Sequence, residues 1–439
     1  MRFVIADPSL KDTHGHHHAL TMRITASARV SGLRPVWFCH RDASLDETAG
    51  AEALPVFSVS LYDAYRRGSP SARAGLIDRV RRLWRRMQPA QSPDNILSAQ
   101  LSQAIKRTGL GRDDRILFHT ADGMTFGAID RLYSLADAEE LPRIHVCTPY
   151  DPKGIMPNRL PDRPIDQIVN RWRARGLIGR KIFLHGENAR LAAHLASLWG
   201  VSVHPLPLPA LPPDPIVGRE GAAAWPVNHP DVLKVIVLGP ARVEKGFHLL
   251  PDIVRHTLDA LGASPEAGAR APVCFAFHCA PQVIGYAPQV LKALERLKEF
   301  PPGIVHLIEG DLSESAYLAW AASSDLFLLP YGQREYALRS SGIVTEALSM
   351  NKIIVATADT YPASAIGRNA GLAAGTPAEF GRAIAEVSRE IRRFREGARL
   401  SGERFRSEHP AEKYVSRCLD AEVNRGNPVV PDAATGLPA

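Results

Sequence analysis

The sequence has few cysteines and no long apolar run. Its five cysteines are scattered over 439 residues, and no Cys-x-x-Cys pair occurs. A disulfide framework and a zinc knuckle are therefore not expected, and a reducing compartment is the default. No window of about 18 apolar residues exists, and the first apolar run, which ends at Asp7, is too short for a signal peptide. These absences predict a cytoplasmic protein.

Acidic residues are fewer than basic ones. Lys and Arg number 53 and Asp and Glu number 46, which gives a formal net charge of +7. The excess favours anionic partners such as phosphorylated metabolites, nucleic acid or a membrane surface, without choosing among them. The length predicts two or three domains, each large enough to bury its own core.

Short apolar runs recur along the chain, and each is followed by a helix-like segment. Such alternation predicts parallel sheets that are covered by helices on both faces. The predicted strands are RFVIAD, RPVWFCH, RILFHT, IHVCTPYD and KIFLHG in the first half, and LKVIVLG, VCFAFHC, GIVHLIEG, DLFLLPY and KIIVAT in the second.

A stretch rich in Pro, Ala and Gly separates the two halves. It covers residues 205–231 and has no clear period, which indicates an interdomain linker. The predicted architecture is therefore two doubly wound α/β domains, at 1–204 and 232–425. The second would include the C-terminal helix, and a disordered tail would follow at 426–439.

The segment VIVLGPARVEKGFHLLPDIV, residues 235–254, predicts a strand, a short loop and a helix. In an open parallel sheet such a loop lies at the carboxyl edge, where ligands bind. Arg242 and Lys245 would add two cations near a helix N-terminus, which itself favours anions. The pattern is typical of a diphosphate site, and an exposed turn with two charges explains it equally well.

A second segment, residues 323–357, ends a buried strand at Pro330-Tyr331 and begins a helix near Ser341-Gly342. Small residues at a helix start let backbone N–H groups approach a ligand closely. Glu346, about one turn into the helix, suits a ribose diol. A helix start with Glu346 as a dipole partner is the alternative.

The motifs GPARVEKGF, GDLSESAYLAWAASSDLFLLPY and SSGIVTEAL, in this order, resemble the donor-binding domain of GT-B glycosyltransferases of the glycosyltransferase 4 type. The resemblance covers residues 232–390 strongly and the first half more weakly. It implies two Rossmann-like domains that face each other across a cleft.

The resemblance also implies roles for single residues. Arg242 and Lys245 would hold the donor diphosphate beside Gly239, and Glu346 would bind the ribose hydroxyls. His119 would face the transferred sugar from the first domain. Backbone amides would reach the phosphates from Ser341, Gly342 and Ile343.

Two positions depart from the family pattern. The first glutamate of the family's glutamate pair would stand at Leu338, and the common Gly-Arg pair is Gly239-Pro240, with the arginine displaced to Arg242. Both changes bear on how the hydroxyls of the sugar are recognised.

The stretch THGHHHALTM places four histidines near the end of the first strand. The resemblance makes it the acceptor-side lip of the cleft, with Gly15 and His16 as candidate contacts. A purely structural loop and helix start is one alternative. A metal site is the other, because His14 and His18 are four residues apart and would share a helix face. The resembled enzymes transfer sugars without a bound metal, so neither a metal nor another cofactor is expected.

A basic helix is predicted at residues 75–87, GLIDRVRRLWRRM, with apolar residues on one face and arginines on the other. It is either a surface helix packed on its domain or a site that docks to an anionic membrane. Nucleic acid is not expected, because the aromatic spacing of a base-stacking platform is missing. Asp122 follows a strand and is either an acceptor-side residue or a helix cap.

The sequence therefore predicts a retaining glycosyltransferase. It would move a sugar from a nucleotide-diphosphate donor to a glycan or lipid-linked acceptor, in bacterial surface polysaccharide synthesis. A nucleotide-sugar epimerase on the same fold and a non-catalytic nucleotide-sugar-binding or partner-binding protein are the alternatives.

Overall fold

The computed structural model describes residues 1–13, 16–45, 48–60, 92–152, 164–212, 225–227, 229, 231–263, 272–281 and 285–423, and His16 only in its backbone. The chain forms two compact units. The first holds Met1–Pro207 and the segment from Ala411 onward, and the second holds Leu208–Pro410. Within the described ranges, none of the helices combines the length and apolar character that crossing a bilayer requires.

The first unit is built on a seven-stranded parallel sheet with the order β3-β2-β1-β4-β5-β6-β7. The order reverses between β1 and β4, so the crevice at a switch point opens at their carboxyl ends. The strands are β1 (Arg2–Ala6), β2 (Arg34–His40), β3 (Glu52–Phe57), β4 (Arg115–Phe118), β5 (Arg143–Thr148), β6 (Ile182–Gly186) and β7 (Val203–Pro205).

Helices cover this sheet. The helix that follows β1 spans His16–Val30, in keeping with the predicted alternation of strands and helices. The described helices in the Met1–Pro207 part of the unit are α1 (His16–Val30), α2 (Pro93–Thr108), α3 (Gly123–Leu135), α4 (Ile165–Ala174) and α5 (Ala189–Trp199).

The second unit holds a six-stranded parallel sheet with the order β10-β9-β8-β11-β12-β13. Its winding reverses between β8 and β11, which places a second switch point at the carboxyl ends of those two strands. The strands are β8 (Leu233–Val237), β9 (Val273–His278), β10 (Val305–Ile308), β11 (Leu326–Leu329), β12 (Ile353–Thr357) and β13 (Gly371–Ala374).

The second sheet is buried on both faces. One apolar cluster contains Val235, Phe275 and Leu328, and the other contains Ile236, Cys274 and Phe327. The covering helices are α6 (Leu250–Leu261), α7 (Pro288–Leu297), α8 (Glu314–Ser323), α9 (Gln333–Tyr336), α10 (Gly342–Ser349), α11 (Tyr361–Ser364), α12 (Pro377–Arg389) and α13 (Ile391–Glu408).

The described part of the predicted linker 205–231 is not a free connection, because its residues belong to the two units themselves. Pro205 ends β7 in the first unit, whereas the chain from Leu208 belongs to the second. Trp225 is buried in the second unit, where its indole N–H donates to Ser323 at 2.9 Å. A tryptophan inside a proline-rich stretch thus anchors that stretch to the core, which composition alone did not indicate. The predicted tail 426–439 lies outside the described residues.

The last described helix, α14 (Lys413–Val423), also differs from its predicted place. It belongs to the first unit rather than to the second, with which sequence order had grouped it. Its Glu422 accepts hydrogen bonds from Arg115 at 2.8 and 2.9 Å. The ion pair joins the end of the chain to β4.

Candidate functional site

The loop after β8 is shaped by two glycines with positive φ. Gly239 has φ 90° and Gly246 has φ 71°, a region that side chains with a Cβ rarely adopt. A Cβ on Gly246 would stand 1.8 Å from the carbonyl oxygen of Pro330, so this loop passes directly against the end of β11. Gly332 N–H donates to the carbonyl of Glu244 at 2.9 Å and fixes the two loops to each other.

Arg242 and Lys245 lie in this loop, as the sequence predicted. Lys245 Nζ is 2.7 Å from the position that a Cβ on Gly239 would occupy. Burial, and then the charges of Arg242 and Arg339, lower the pKa of Lys245 to about 7. Three cationic side chains therefore lie close together, and an anion bound among them would relieve their mutual repulsion.

One N–H of Arg242 is not used within the described part of the chain. The Nε atom is buried and has no hydrogen-bond partner among the described residues. The guanidinium forms an ion pair with Glu244, at 3.5 Å. A buried N–H without an acceptor is costly, and an anionic ligand at this position would supply one.

The N-terminus of α10 lies at the same edge of the sheet. Ser341 is its N-cap residue, and its side chain makes no capping hydrogen bond. A Cβ built on Gly342 meets no atom within 4 Å, so packing does not demand a glycine there and the space above it is open. Ile343 contributes to the same edge, because its side chain lies beside Gly239. The first amides of the helix suit an anion.

Glu346 is held by a tyrosine that the sequence analysis did not identify. The hydroxyl of Tyr317, on α8, donates to Glu346 Oε2 at 2.5 Å. Burial and the adjacent carboxylate raise the pKa of Tyr317 well above its usual value, so this hydroxyl stays protonated and remains a donor. The bond fixes the orientation of the carboxylate near Lys245, with which Glu346 interacts electrostatically.

The donor-side residues of the second unit thus meet at the switch point between β8 and β11. Cations and helix amides there can bind a diphosphate, and an oriented carboxylate can accept hydrogen bonds from a diol. Arg339 and Tyr317 join this group without having been predicted. Arg339 follows Leu338 directly, so the position that lacks the family's carboxylate stands next to an added cation.

In the first unit, three buried side chains meet at the corresponding switch point. Asp7 Oδ2 lies 2.6 Å from Nδ1 of His17 and 3.2 Å from Nε2 of His119. Burial alone would raise the pKa of Asp7, but His17 and His119 lower it well below the usual value. The carboxylate therefore stays ionised and orients both rings.

The predicted first-unit residues have different placements. His119 is buried, and its other ring nitrogen lies 2.9 Å from Thr120 Oγ1, so its side chain is held inside the unit. Asp122 is the N-cap of α3 and accepts from Thr125 N–H at 3.1 Å. His16 begins α1. Gly15, His14 and the basic stretch 75–87 lie outside the described residues.

Comparisons with solved structures support the fold. The chain is similar to a UDP-forming trehalose-phosphate synthase from Burkholderia xenovorans, with TM-score 0.64, 12% identity, and coverage of 97% of this chain and 99% of the other. It is also similar to a sucrose-phosphate synthase from Thermosynechococcus elongatus, with TM-score 0.62, 10% identity, and coverage of 96% and 98%. A trehalose-6-phosphate structure from E. coli bound with UDP-2-fluoro glucose gives TM-score 0.64 at 12% identity, with coverage of 96% and 99%.

These likenesses confirm the GT-B fold of two parallel-sheet α/β domains. They do not single out the glycosyltransferase 4 type that the sequence motifs suggested. The sequence itself matches no protein-family model and no curated protein.

The role of Glu346 can be tested by binding. We expect Glu346→Gln to weaken nucleoside diphosphate affinity by about 10-fold or more, because two charge-assisted hydrogen bonds are each worth ~1.5–3 kcal/mol. Tyr317→Phe should cause a smaller loss, since the carboxylate remains but is less well oriented. Titration calorimetry with UDP, GDP and ADP is the measurement, and Glu314→Gln, an exposed position on α8, is the control. If Glu346→Gln leaves the affinity unchanged, Glu346 does not bind the nucleotide and acts only as a charge in the first turns of α10.

Proposed function

We propose that the protein is a glycosyltransferase that uses a nucleoside-diphosphate sugar as donor. The observation that carries this proposal is the convergence of Arg242, Lys245, the α10 N-terminus and Glu346 at one switch point. The unpartnered Nε of Arg242 adds a donor that an anionic ligand would satisfy. The solved neighbours whose descriptions name UDP-forming synthesis and a bound UDP-sugar analogue point to the same class of donor.

In this proposal the second unit binds the donor and stabilises its departure. As the bond from the sugar to the diphosphate breaks, negative charge grows on the leaving phosphate. Lys245 and Arg242 lie at fixed positions where they stabilise that charge, as do the first amides of α10. Retention of the anomeric configuration is the outcome that the resemblance implies.

The acceptor is proposed to bind the first unit, near Asp7, His17 and His119. Two classes of acceptor are open to test. The sequence motifs favour a glycan or a lipid-linked glycan of a bacterial surface polysaccharide. The structural neighbours named as trehalose-phosphate and sucrose-phosphate synthases instead suggest a sugar phosphate, and one of them is in complex with glucose-6-phosphate.

The test is a panel of nucleotide sugars with three sets of acceptors. Purified protein is incubated with each donor alone, with sugar phosphates, and with lipid-linked acceptors, and the products are separated by mass spectrometry. Transfer to an acceptor supports the proposal. Conversion of the donor into an isomer without an acceptor would indicate an epimerase, and tight donor binding without turnover would indicate a non-catalytic protein. Transfer should persist in EDTA, because Arg242, Lys245 and the first amides of α10 would balance the charge of the diphosphate without a metal ion.

Membrane docking through residues 75–87 stays a prediction. It follows from the arginine-rich face of that sequence, where each cation near an anionic surface contributes roughly 1 kcal/mol. We expect the protein to float with anionic vesicles at low salt but not at high salt. A variant with Arg81, Arg82, Arg85 and Arg86 changed to Gln should not float. Equal flotation of this variant and the wild type would make the stretch an ordinary surface helix.

A further inference from the structure

A cluster of histidine and cysteine side chains lies inside the first unit, beneath α14. Every second residue of β5 faces this helix, namely Arg143, His145 and Cys147. His185 on β6 stands opposite Cys147 in the ladder. Cys418 on α14 completes the cluster, and its two histidines and two cysteines are buried. Apolar residues would pack here at lower cost, so the polar set requires a physical reason.

Hydrogen bonding within the cluster accounts for only part of it. Glu422 Oε1 lies 3.2 Å from Nε2 of His145, and Nδ1 of His145 lies 3.1 Å from Nε2 of His185. Only one proton can lie between those two ring nitrogens. A ligand atom of Cys418 lies within 4.8 Å of one ligand atom of each histidine, and hydrogen bonds between the histidines and Glu422 do not involve it.

The geometry points to a zinc site, and we propose that His145, His185 and Cys418 bind one Zn²⁺ ion that fastens α14 to the sheet. One ligand atom from each of the three lies within 4.8 Å of the others. Two nitrogens on one tetrahedral zinc ion stand about 3.3 Å apart, given Zn–N bonds of about 2.0–2.1 Å. The observed separation of 3.1 Å between the histidine nitrogens is close to that value.

The surroundings of His145 match those of a zinc ligand. A histidine that binds a metal through one nitrogen usually donates its other N–H to a carboxylate, which fixes the ring and strengthens the ligand. Glu422 occupies that place, because two hydrogen bonds from Arg115 keep it ionised and oriented. The lone pair of His145 is then on Nδ1, the atom that faces His185.

The chemistry of the three ligands also suits the site. Each histidine can offer a ring nitrogen, and the thiol of Cys418 would give up its proton as the ion binds. Imidazole and thiolate together are ligands that favour zinc over magnesium or calcium.

Cys147 lies opposite His185 in the ladder. It is not among the three residues whose ligand atoms lie within 4.8 Å of one another, so the proposed ligands are His145, His185 and Cys418 alone. The ligands come from β5, β6 and α14, and a bound ion would therefore fasten the last helix of the unit.

The experiment uses the full chain, produced in zinc-supplemented medium and purified without a metal column. We expect about one zinc ion per chain, as for a structural site of this ligand set. After refolding with Co²⁺, a thiolate-to-cobalt charge-transfer band should appear in the near ultraviolet. Cys418→Ser should lose both the zinc and the band, whereas Cys274→Ser, a buried cysteine of the second unit, should keep both.

Three outcomes would overturn the proposal. One is wild-type protein that holds no stoichiometric zinc after expression and after refolding with excess zinc. Another is zinc that binds without a thiolate band. Asp7, His17 and His119 also have ligand atoms close together but include no sulfur, so zinc without the band would be bound there instead. The third is a Cys418→Ser variant that keeps the band. The wild-type measurements alone decide the matter if that variant does not fold.

Discussion

Replacing Lys245 by alanine is expected to lower turnover by about 100-fold or more, the scale seen when one preorganised charge contact is lost. The protein should remain folded, because Lys245 lies in a loop and its side chain is not part of either apolar cluster. Arg242→Ala should have a comparable effect, since it removes the buried Nε that a bound diphosphate would satisfy. Lys292→Ala, an exposed lysine on α7, should leave turnover unchanged.

The lowered pKa of Lys245 also predicts that activity depends on pH. Its pKa in the free protein is about 7, far below that of an ordinary lysine. Only the protonated form attracts the diphosphate, so kcat/KM should fall as the pH rises through about 7. A bound diphosphate raises this pKa again, and the decline in kcat should therefore come at higher pH. Rate profiles for wild type and Lys245→Arg test this, because arginine stays charged and should remove the decline. Near-normal turnover in Lys245→Ala would show that the diphosphate binds elsewhere.

The central strands of both sheets and the edge strand β10 could be predicted from the sequence, whereas the edge strands β3, β7 and β13 could not. Strands such as β8 and β9 are buried on both faces and read as continuous apolar runs. β3, β7 and β13 lie at the edges of their sheets and are only partly buried. Their sequences, EALPVF, VHP and GLAA, contain proline, glycine or polar residues, so neither periodicity nor composition marks them.

The donor-side residues could be predicted where they follow a strand or begin a helix. Arg242, Lys245 and Glu346 stand at such positions, and chain order alone places them at the carboxyl edge. Tyr317 could not be found in this way, because it lies inside α8 and reaches Glu346 only through tertiary packing. Asp7 was available as a polar residue at the end of β1, but its two histidine partners come from different elements.

The place of α14 could not be predicted, because it depends on a contact of long sequence separation. Glu422 and Arg115 are 307 residues apart, and neither residue type reveals its partner. Chain order grouped the helix with the domain that precedes it. The ion pair between Glu422 and Arg115 instead holds the helix in the first unit. We therefore expect its removal to destabilise that unit strongly.

We expect Glu422→Ala to lower the free energy of unfolding of the first unit by about 3–5 kcal/mol. The carboxylate pairs with Arg115 at 2.8 Å, Arg143 at 3.1 Å and His145 at 3.2 Å, and its removal leaves buried cationic groups unpaired. Glu52→Ala breaks an exposed pair with Arg34 in the same unit and should cost no more than about 1 kcal/mol. Urea unfolding, with hydrogen exchange of the α14 amides as the local probe, measures both. Equal losses in the two variants would contradict a special role for Glu422.

Glu422 also sets the direction of the acid dependence. Burial alone would raise its pKa, but hydrogen bonds from His145 and Arg115 lower it to about 2, from 4.5. Above pH 4.5 the carboxylate is ionised in both folded and unfolded chains, and its full stabilisation is present. Between 4.5 and about 2 the unfolded chain takes up the proton first, so this stabilisation is progressively lost. Glu422→Gln does not titrate, and the gap in stability between it and the wild type should therefore be constant from about pH 7 to pH 5 and narrow towards about pH 3. A gap that stays constant down to pH 3 would mean that Glu422 has an ordinary pKa in the folded protein or that its charge contributes nothing.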